Sequence, residues 1–277
     1  MIVCVDIGGG TTRVGFSDDE KTFTKIVKFS TENIFEDEVK RIAQEIRAIS
    51  GDIKAIVIAA AGSEDRKNGI IISWGQKKSW WGQNIFKALS AYFPQAQFLI
   101  ENDTKLAGLG EAVFGAGRNY SLVGYISLST GVGGGLISDK KIVSYNFGIE
   151  PGHQIVNFQE TKEWSCGQKG CFEAYASGTA FQQIFGVSPE ACVDKNIWEK
   201  YGKLVAVGMA NLIAFWSPEV VVVGGGVAHK FDYFLKSLEA ELVHLLPMYL
   251  VLPKIVKSQL DEPGLYGGLA YFASKEK

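Results

Sequence analysis

Several features that would place a protein in a membrane or outside the cell are missing. Nowhere in the 277 residues is there a run of 18 or more apolar residues, the length a helix needs to span a bilayer. The opening residues, Met1-Ile2-Val3-Cys4-Val5-Asp6, have no basic segment ahead of a long apolar one, so they read as a buried strand rather than a leader. Cysteine is sparse. Four in a chain of this length do not make a disulfide scaffold, and Cys4 and Cys192 read as ordinary buried thiols. Charge of one sign is lacking as well: 28 Lys+Arg against 30 Asp+Glu leave −2, which argues against a broad basic surface for nucleic acid. The expectation is a cytoplasmic protein that takes neither nucleic acid nor membrane as a partner.

The two commonest nucleotide motifs are missing too. A Walker loop requires G-x-x-x-x-G-K-[ST], and the only Gly-Lys pair, Gly202-Lys203, is followed by Leu204. A Rossmann fingerprint requires G-x-G-x-x-G between a strand and a helix. Gly8-x-Gly10 runs on to Arg13, and Gly224-x-Gly226 runs on to His229.

What the sequence has in quantity is glycine, 32 residues, clustered at 8–10, 131–135 and 224–226 beside apolar runs. Glycine in such places lets backbone approach a ligand, and converging backbone N–H groups bind phosphate. The pattern predicts strands at 2–6, 13–16, 24–29, 54–60 and 97–101, with helices at 34–49, 82–92 and 104–114. It then predicts a strand at 122–128, a glycine turn at 131–135, a strand at 136–138 and an irregular stretch to about 171. A helix at 199–215, a strand at 219–223, a helix at 230–245 and a closing helix at 264–274 follow. Each half opens with strand, glycine turn, strand, so the expectation is an α/β protein with mixed sheets flanked by helices. Two lobes are expected: a small one from 1–103 plus 262–277, and a large one from 104–261, hinged near 102–104 and 260. Two glycine hairpins, at Asp6-Ile7-Gly8-Gly9 and at Thr130-Gly131-Val132-Gly133-Gly134-Gly135, suit a triphosphate, and Asp6 can reach Mg²⁺ through water. Trp74, Trp80 and Trp81 are read either as an aromatic wall for a sugar ring or as core packing.

These motifs, taken in order, resemble the ROK family of repressors and sugar kinases, within the actin-like ATPase (ribonuclease H-like) superfamily. Asp6-Ile7-Gly8-Gly9 is similar to its first phosphate loop, Glu101-Asn102-Asp103 to its catalytic motif, and residues 130–135 to its second phosphate loop. Glu150-Pro151-Gly152-His153 resembles its G-E-x-G-H segment, Cys166 to Gly178 its C-G-x-x-G-C-x-E-x-x-x-S-G signature, and Gly224-Gly225-Gly226-Val227 its adenosine-side glycines.

The resemblance implies a two-lobed ATP-dependent sugar kinase of the glucokinase type, acting on a hexose, with ATP and Mg²⁺ and in some members as a homodimer. It implies that Asp103 is the base, and that Gly62, Asn102, Glu150, His153 and Glu173 bind the sugar. Asp6, Gly8, Gly9, Gly10, Thr11, Thr130, Gly131, Gly133, Gly134, Gly225 and Gly226 would hold the nucleotide. It also implies a zinc on His153, Cys166 and Cys171. Two departures stand out. With Arg13-Val14-Gly15 in register, Gly10 and Thr11 occupy the Thr-Lys positions of the family's D-x-G-G-T-K loop, whereas a one-residue shift puts Thr11 in the Thr role; and Trp164 stands where the family has a zinc cysteine. The altered loop leaves open a sugar binder with little ATP turnover. A regulator is not expected, since the Asp6 loop starts at once and leaves no room ahead of it for the family's DNA-binding domain.

Overall fold

The computed structural model describes residues 1–49, 51–75, 77–143 and 148–276. In chain order the elements are β1 (Ile2–Ile7), β2 (Thr11–Ser17), β3 (Lys25–Ser30), α1 (Phe35–Arg47), β4 (Ala55–Ala60), β5 (Ser63–Asp65), β6 (Ile70–Ser73), α2 (Ile85–Ser90), β7 (Gln97–Asn102) and α3 (Asp103–Val113). They continue with β8 (Leu122–Leu128), β9 (Val132–Ser138), β10 (Lys141–Ile142), α4 (Glu173–Ala176), α5 (Gly178–Phe185), α6 (Lys195–Trp216), β11 (Val220–Gly224), α7 (Phe231–Leu245), β12 (Lys254–Lys257) and α8 (Pro263–Lys275).

The chain divides into two compact units, Met1–Phe114 with Leu260–Lys277, and Gly115–Gln259. The helix expected to open the second lobe therefore packs with the first. The cause is glycine: a Cβ on Gly110 of α3 would lie 2.3 Å from the Pro263 carbonyl oxygen, and one on Gly267 of α8 would lie 1.8 Å from that of Leu106. Only bare backbone lets α3 and α8 come this close.

In the first unit one sheet has the order β3-β2-β1-β4-β7. The pairs β1–β2 and β2–β3 are antiparallel, while β1–β4 and β4–β7 are parallel. Strand β4, Ala55-Ile-Val-Ile-Ala-Ala60, is buried along its whole length and β1 everywhere but at Asp6, which accounts for their apolar runs. Helix α1 lays Phe35, Val39, Ile42 and Ile46 into this core and carries Glu36, Asp37 and Glu38 in its first turn, where the helix dipole favours negative charge. Each large side chain so buried contributes about 1.5–3 kcal/mol. Trp74 and Trp80 are also core, packed edge to face at 4.6 Å, and Trp81 is exposed. The hairpin β5–β6 was missed in the sequence.

The second unit repeats the order as β10-β9-β8-β11-β12, with β8–β9 antiparallel and β11 parallel to both neighbours. The turn expected at 131–135 is shorter than that. Gly133, Gly134 and Gly135 pair with Ser127, Ile126 and Tyr125 inside β9, so the turn is 129–131. Gly134 is needed because a Cβ there would meet the Tyr125 carbonyl oxygen at 2.3 Å and Pro151 at 3.0 Å. The core around α6 is aromatic: Phe172, Phe181, Trp198, Tyr201 and Phe234 are all fully buried. Of the expected irregular stretch, 144–147 lies outside the described residues. Among the described residues no helix is long and apolar enough to cross a membrane.

Candidate active site

In the first unit the turn between β1 and β2 is Gly8-Gly9-Gly10, closed by the Gly8 N–H donating to the Thr11 carbonyl at 3.1 Å. A Cβ on Gly9 or Gly10 would meet nothing within 4 Å, so the turn's backbone is uncrowded and free to accept an anion. The turn is braced from behind. The Thr31 hydroxyl donates to the Gly8 carbonyl (2.8 Å), and buried Thr12 donates to Glu38 Oε1 (2.5 Å). The other oxygen of Glu38 accepts the Glu32 N–H at 2.7 Å.

Asp6 pairs in register with Arg13, so both side chains stand on one face of the sheet. Arg13 Nη1 lies 3.8 Å from Asp6 Oδ2, and its Nε lies 2.6 Å from Glu262 Oε2; Glu262 also pairs with Lys28. Burial, followed by the negative charges of Asp103 and Glu262, raises the Asp6 carboxyl to about 7, with Arg13 pulling the other way. Helix α8 begins beside this group: a Cβ on Gly264 would lie 3.0 Å from Asp6 Oδ2.

Asp103 is the first residue of α3, directly after β7. Asn102 caps the helix, its Oδ1 accepting the N–H groups of Thr104 (3.1 Å) and Lys105 (3.2 Å). Its Nδ2 donates to the Gly62 carbonyl at 3.1 Å. Gly62 has φ +91°, and a Cβ there would strike the Ser73 carbonyl oxygen at 2.1 Å, so no other residue suits this turn. Glu101 is buried. Its Oε1 accepts the Asn102 N–H and its Oε2 accepts from Arg66 Nη1, both at 3.1 Å. Beside it Glu64, with only 7% of its side chain exposed, is pushed up to about 8 by burial and by the Glu101 charge. The side chains of Glu64 and Glu101 hydrogen-bond to each other, which favours a proton on Glu64.

In the second unit the turn at 129–131 is closed by the Ser129 N–H donating to the Gly131 carbonyl at 2.9 Å. The start of α5 ties to it, with the Gly178 N–H on the Ser129 carbonyl (2.6 Å) and the Thr179 hydroxyl on the Thr130 carbonyl (2.8 Å). A cavity of about 280 Å³ opens here, lined by Ser129, Thr130, Gly178, Thr179, Gly226 and Val227 among others. Gly225 has φ +86°, and a Cβ there would sit 2.4 Å from the Leu128 carbonyl oxygen, so the end of β11 reaches this turn only as glycine.

Glu150 precedes a single 3₁₀ turn, Pro151–His153, that packs on the start of β9; a Cβ on Gly152 would meet the Val132 carbonyl oxygen at 2.2 Å. Glu150 and His153 are both exposed. Glu173 opens α4, and its two oxygens have separate partners: Oε2 accepts the Val132 N–H (3.0 Å) and Oε1 accepts the Trp164 indole Nε1–H (2.9 Å).

The implied zinc set does not assemble. Cys166 and Cys171 lie 3.7 Å apart, Sγ to Sγ, yet among the described residues no group of three or more His, Cys, Asp or Glu could hold a metal ion. The physical reason is the donor set: an indole N–H has no lone pair to give a metal, and Trp164 spends it on Glu173.

Thus the first unit brings together Asp6, Gly8, Gly9, Gly10 and Thr11, and beside Asp6 places Asp103 with Asn102 and Gly62. The second brings Gly131, Gly133, Gly134, Glu150, His153 and Glu173 around the start of β9, with Thr130, Gly225 and Gly226 toward the cavity. Sequence reasoning missed the groups that hold these in place: Glu38, Thr31, Glu262, Glu64, Arg66 and Thr179. Only buried charge inside amphipathic stretches could have signalled them, and Glu38 in α1 reads like any surface acid of a first helical turn.

Comparison with known proteins gives the family and its relatives. The model of the ROK family matches residues 2–275. A glucokinase from Thermotoga maritima is 29% identical over 303 residues, covering 96% of this chain and 95% of its own. The structure of a ROK hexokinase from Thermus thermophilus superposes with a TM-score of 0.83 at 25% identity, covering 100% of this chain and 99% of its own. That of a ROK family glucokinase from Streptomyces griseus in complex with glucose and AMPPNP gives 0.82 at 26%, covering 98% of each.

Proposed function

We infer that this chain, which belongs to the ROK family over residues 2–275, is an ATP-dependent sugar kinase, and that its acceptor is the 6-hydroxyl of a hexose. The observation that carries this is the way Asp103 is held: a carboxylate on the first turn of a helix, next to a cap locked by Gly62, in the same unit as Asp6 and its glycine turn. Glucokinases from T. maritima and S. griseus, the second solved with glucose and AMPPNP, support the hexose and the adenine nucleotide.

Phosphoryl transfer asks a protein mainly for position and charge balance. Asp103 takes the proton from the attacking hydroxyl, and the positive end of α3 steadies its ionised form beforehand. Asn102 in the first unit, and Glu150, His153 and Glu173 in the second, carry donors and acceptors of the kind a polyol needs, and Asn102 and Glu173 are held in place by their own hydrogen bonds. The open turns at 8–10 and 129–131 fit phosphate oxygens, the cavity beside Thr179 and Gly226 fits the nucleoside end, and Asp6 fits a hydrated Mg²⁺. Mg-ATP, when bound, would supply the transferable phosphoryl group, and its metal ion would offset the charge that develops there. Thr11 leaves the first turn without the family's lysine, and Arg13, its guanidinium 3.8 Å from Asp6, supplies a cation on the same face. This favours turnover over a sugar binder that does not use ATP.

A coupled ADP-release assay with Mg-ATP against glucose, mannose, fructose, allose and N-acetylmannosamine tests the assignment, with the product's phosphate located by ³¹P NMR. Turnover is expected with at least one hexose, phosphorylated at O6. No ADP above the sugar-free control, or full activity in Asp103→Asn, would sink the kinase assignment, and phosphate on another oxygen would sink the 6-hydroxyl.

A further inference from the structure

The segment 163–171 carries an unusual substitution of means. Where the resemblance implies a metal ligand, the chain has Trp164, and the structure gives that residue a different partner. The Trp164 indole Nε1–H donates to Glu173 Oε1 at 2.9 Å, while the Val132 N–H donates to Oε2 at 3.0 Å. Glu173 is thus gripped by one donor on each oxygen, which fixes the plane of its carboxylate. A carboxylate has about four acceptor positions, so two remain for a ligand's hydroxyls.

The loop that presents the indole is itself rigidly built. The Trp164 N–H donates to the Gln168 carbonyl at 2.8 Å, and the Gly167 N–H returns to the Trp164 carbonyl at 2.9 Å. Glu163 and Lys169 form an antiparallel bridge across the loop's base. Gly170 has φ +69°, and a Cβ there would lie 1.8 Å from the Asn157 carbonyl oxygen, so the return strand runs tight against its neighbour. Trp164 is half-buried, which lowers the local dielectric and strengthens a charge-assisted bond.

We propose that Trp164 is a positioning residue for sugar binding: its indole N–H orients Glu173 through a direct hydrogen bond, so that this segment sets the sugar-binding carboxylate without any metal. The assignment to sugar rests on the kinase reading above, whereas the Trp164–Glu173 pair does not. Two measurements keep them apart.

The pair is read from the indole region of a ¹H–¹⁵N spectrum. The chain has six tryptophans, and the resonance lost in Trp164→Phe identifies Trp164. That resonance is expected to shift in Glu173→Gln while the other indole signals stay put; an unmoved resonance overturns the pair. The role is read from kinetics of the full chain. Trp164→Phe is expected to raise the sugar KM about 10-fold, the loss of one charge-assisted hydrogen bond, with kcat and the ATP KM changed far less. An unchanged sugar KM overturns the role, as does a uniform loss of all three parameters together with a lowered melting temperature, which marks a merely structural residue. If the wild type turns over no sugar, the kinase reading has failed, and calorimetry with glucose replaces the kinetic arm: unaltered binding in Trp164→Phe overturns the role. Elemental analysis of the purified protein is expected to find no stoichiometric zinc, and one zinc per chain overturns the metal-free account.

Discussion

The two units fold the same way and do different chemistry with it. Each has a five-stranded sheet whose first hairpin ends in a glycine turn, and the strand orders correspond position for position. Their interiors differ. Among the described residues nine polar or charged side chains are buried, and eight of them, including Glu38, Glu101, Lys105, Glu111 and Glu262, belong to the first unit; only Ser177 belongs to the second. The first unit therefore holds its site with buried charge and the second with close backbone packing and aromatic filling. Buried ionised groups are sensitive to pH and to the loss of a partner, whereas glycine contacts respond only to added atoms. One β-hairpin plan has thus been filled in two ways, once around buried carboxylates and once around packed backbone and aromatic rings.

The most direct way to break this comparison is at Asp103. Asp103→Asn keeps the shape of the α3 N-terminus and removes the proposed base, so turnover is expected to fall by a factor on the order of 10²–10⁴, with the melting temperature little changed. The matched experiment on the other unit, Glu173→Gln, is expected to act on the sugar KM instead. If both variants lost kcat alone, the division of labour between the units would be wrong.

Next in size is the support behind the base. Glu101→Ala leaves Arg66 without the carboxylate it reaches at 3.1 Å and frees the Asn102 N–H, so a cost of roughly 3 kcal/mol is expected, given that a broken buried pair costs about 3–5 kcal/mol and Arg66 is one-third exposed. Hydrogen exchange should show the loss in β7 and α3 and leave β8 and β9 protected. The counterpart in the second unit is Gly225→Ala, where a positive φ and a Cβ 2.4 Å from the Leu128 carbonyl are expected to cost about 1–3 kcal/mol. Its effect should be confined to β11 and β8 and should not depend on pH.

These supports are also where the sequence was least legible. The apolar runs made β1, β4, β8 and β11 plain, because a strand covered on both faces has no polar alternation to confuse it. Asp103 stood out because Glu101-Asn102-Asp103 resembles the family's motif at the end of a strand; that Asn102 caps α3 appears only in the structure. The division of the chain was read wrongly at α3, since nothing local says that Gly110 is a packing surface; its meaning lies in Gly267, more than 150 residues away. Gly133–Gly135 were read as a turn for the opposite reason: glycine signals turns by default, and here it serves a strand crossed by Tyr125 and Pro151. Glu64 and Arg66 sit in a short hairpin with no periodicity, so their role appears only once β5 and β7 lie side by side. Trp164 was visible as a departure, but only the bond to Glu173 says what it does.

A finer test concerns protons. Asp6 and Glu64 both have folded-state pKa values raised above those of the unfolded chain, to about 7 from 3.8 and to about 8 from 4.5. Between the unfolded and folded values the folded state binds more protons than the unfolded one, so stability falls as pH rises through this window, the reverse of the usual salt-bridged carboxylate. Exchange protection in β1 and β7 is therefore expected to weaken from pH 5 to pH 8.5, with β8 and β11 changing less. Mg-ATP use should move the other way if Asp6 holds the hydrated cation as proposed, since only the ionised carboxylate would do so: kcat/KM for ATP is then expected to rise through pH 7. Asp6→Asn should abolish that rise, and persistence of the rise in this variant would assign it to another group.

The smallest expected effect is at Glu64, and it is the most discriminating. A protonated Glu64 at pH 6 is a neutral hydrogen-bond donor to Glu101, and a glutamine of nearly the same shape offers an N–H in its place. Glu64→Gln is therefore expected to change stability at pH 6 by less than about 1 kcal/mol, the usual worth of one neutral hydrogen bond. At pH 9 the wild type carries two facing carboxylates and the variant one, so the variant should be the more stable of the two. A crossing of the two stability curves between pH 6 and pH 9 would locate the first unit's pH sensitivity at this pair. Parallel curves would mean that Glu64 is already ionised at pH 6, and that Arg66 and Lys105 together balance two negative charges rather than one.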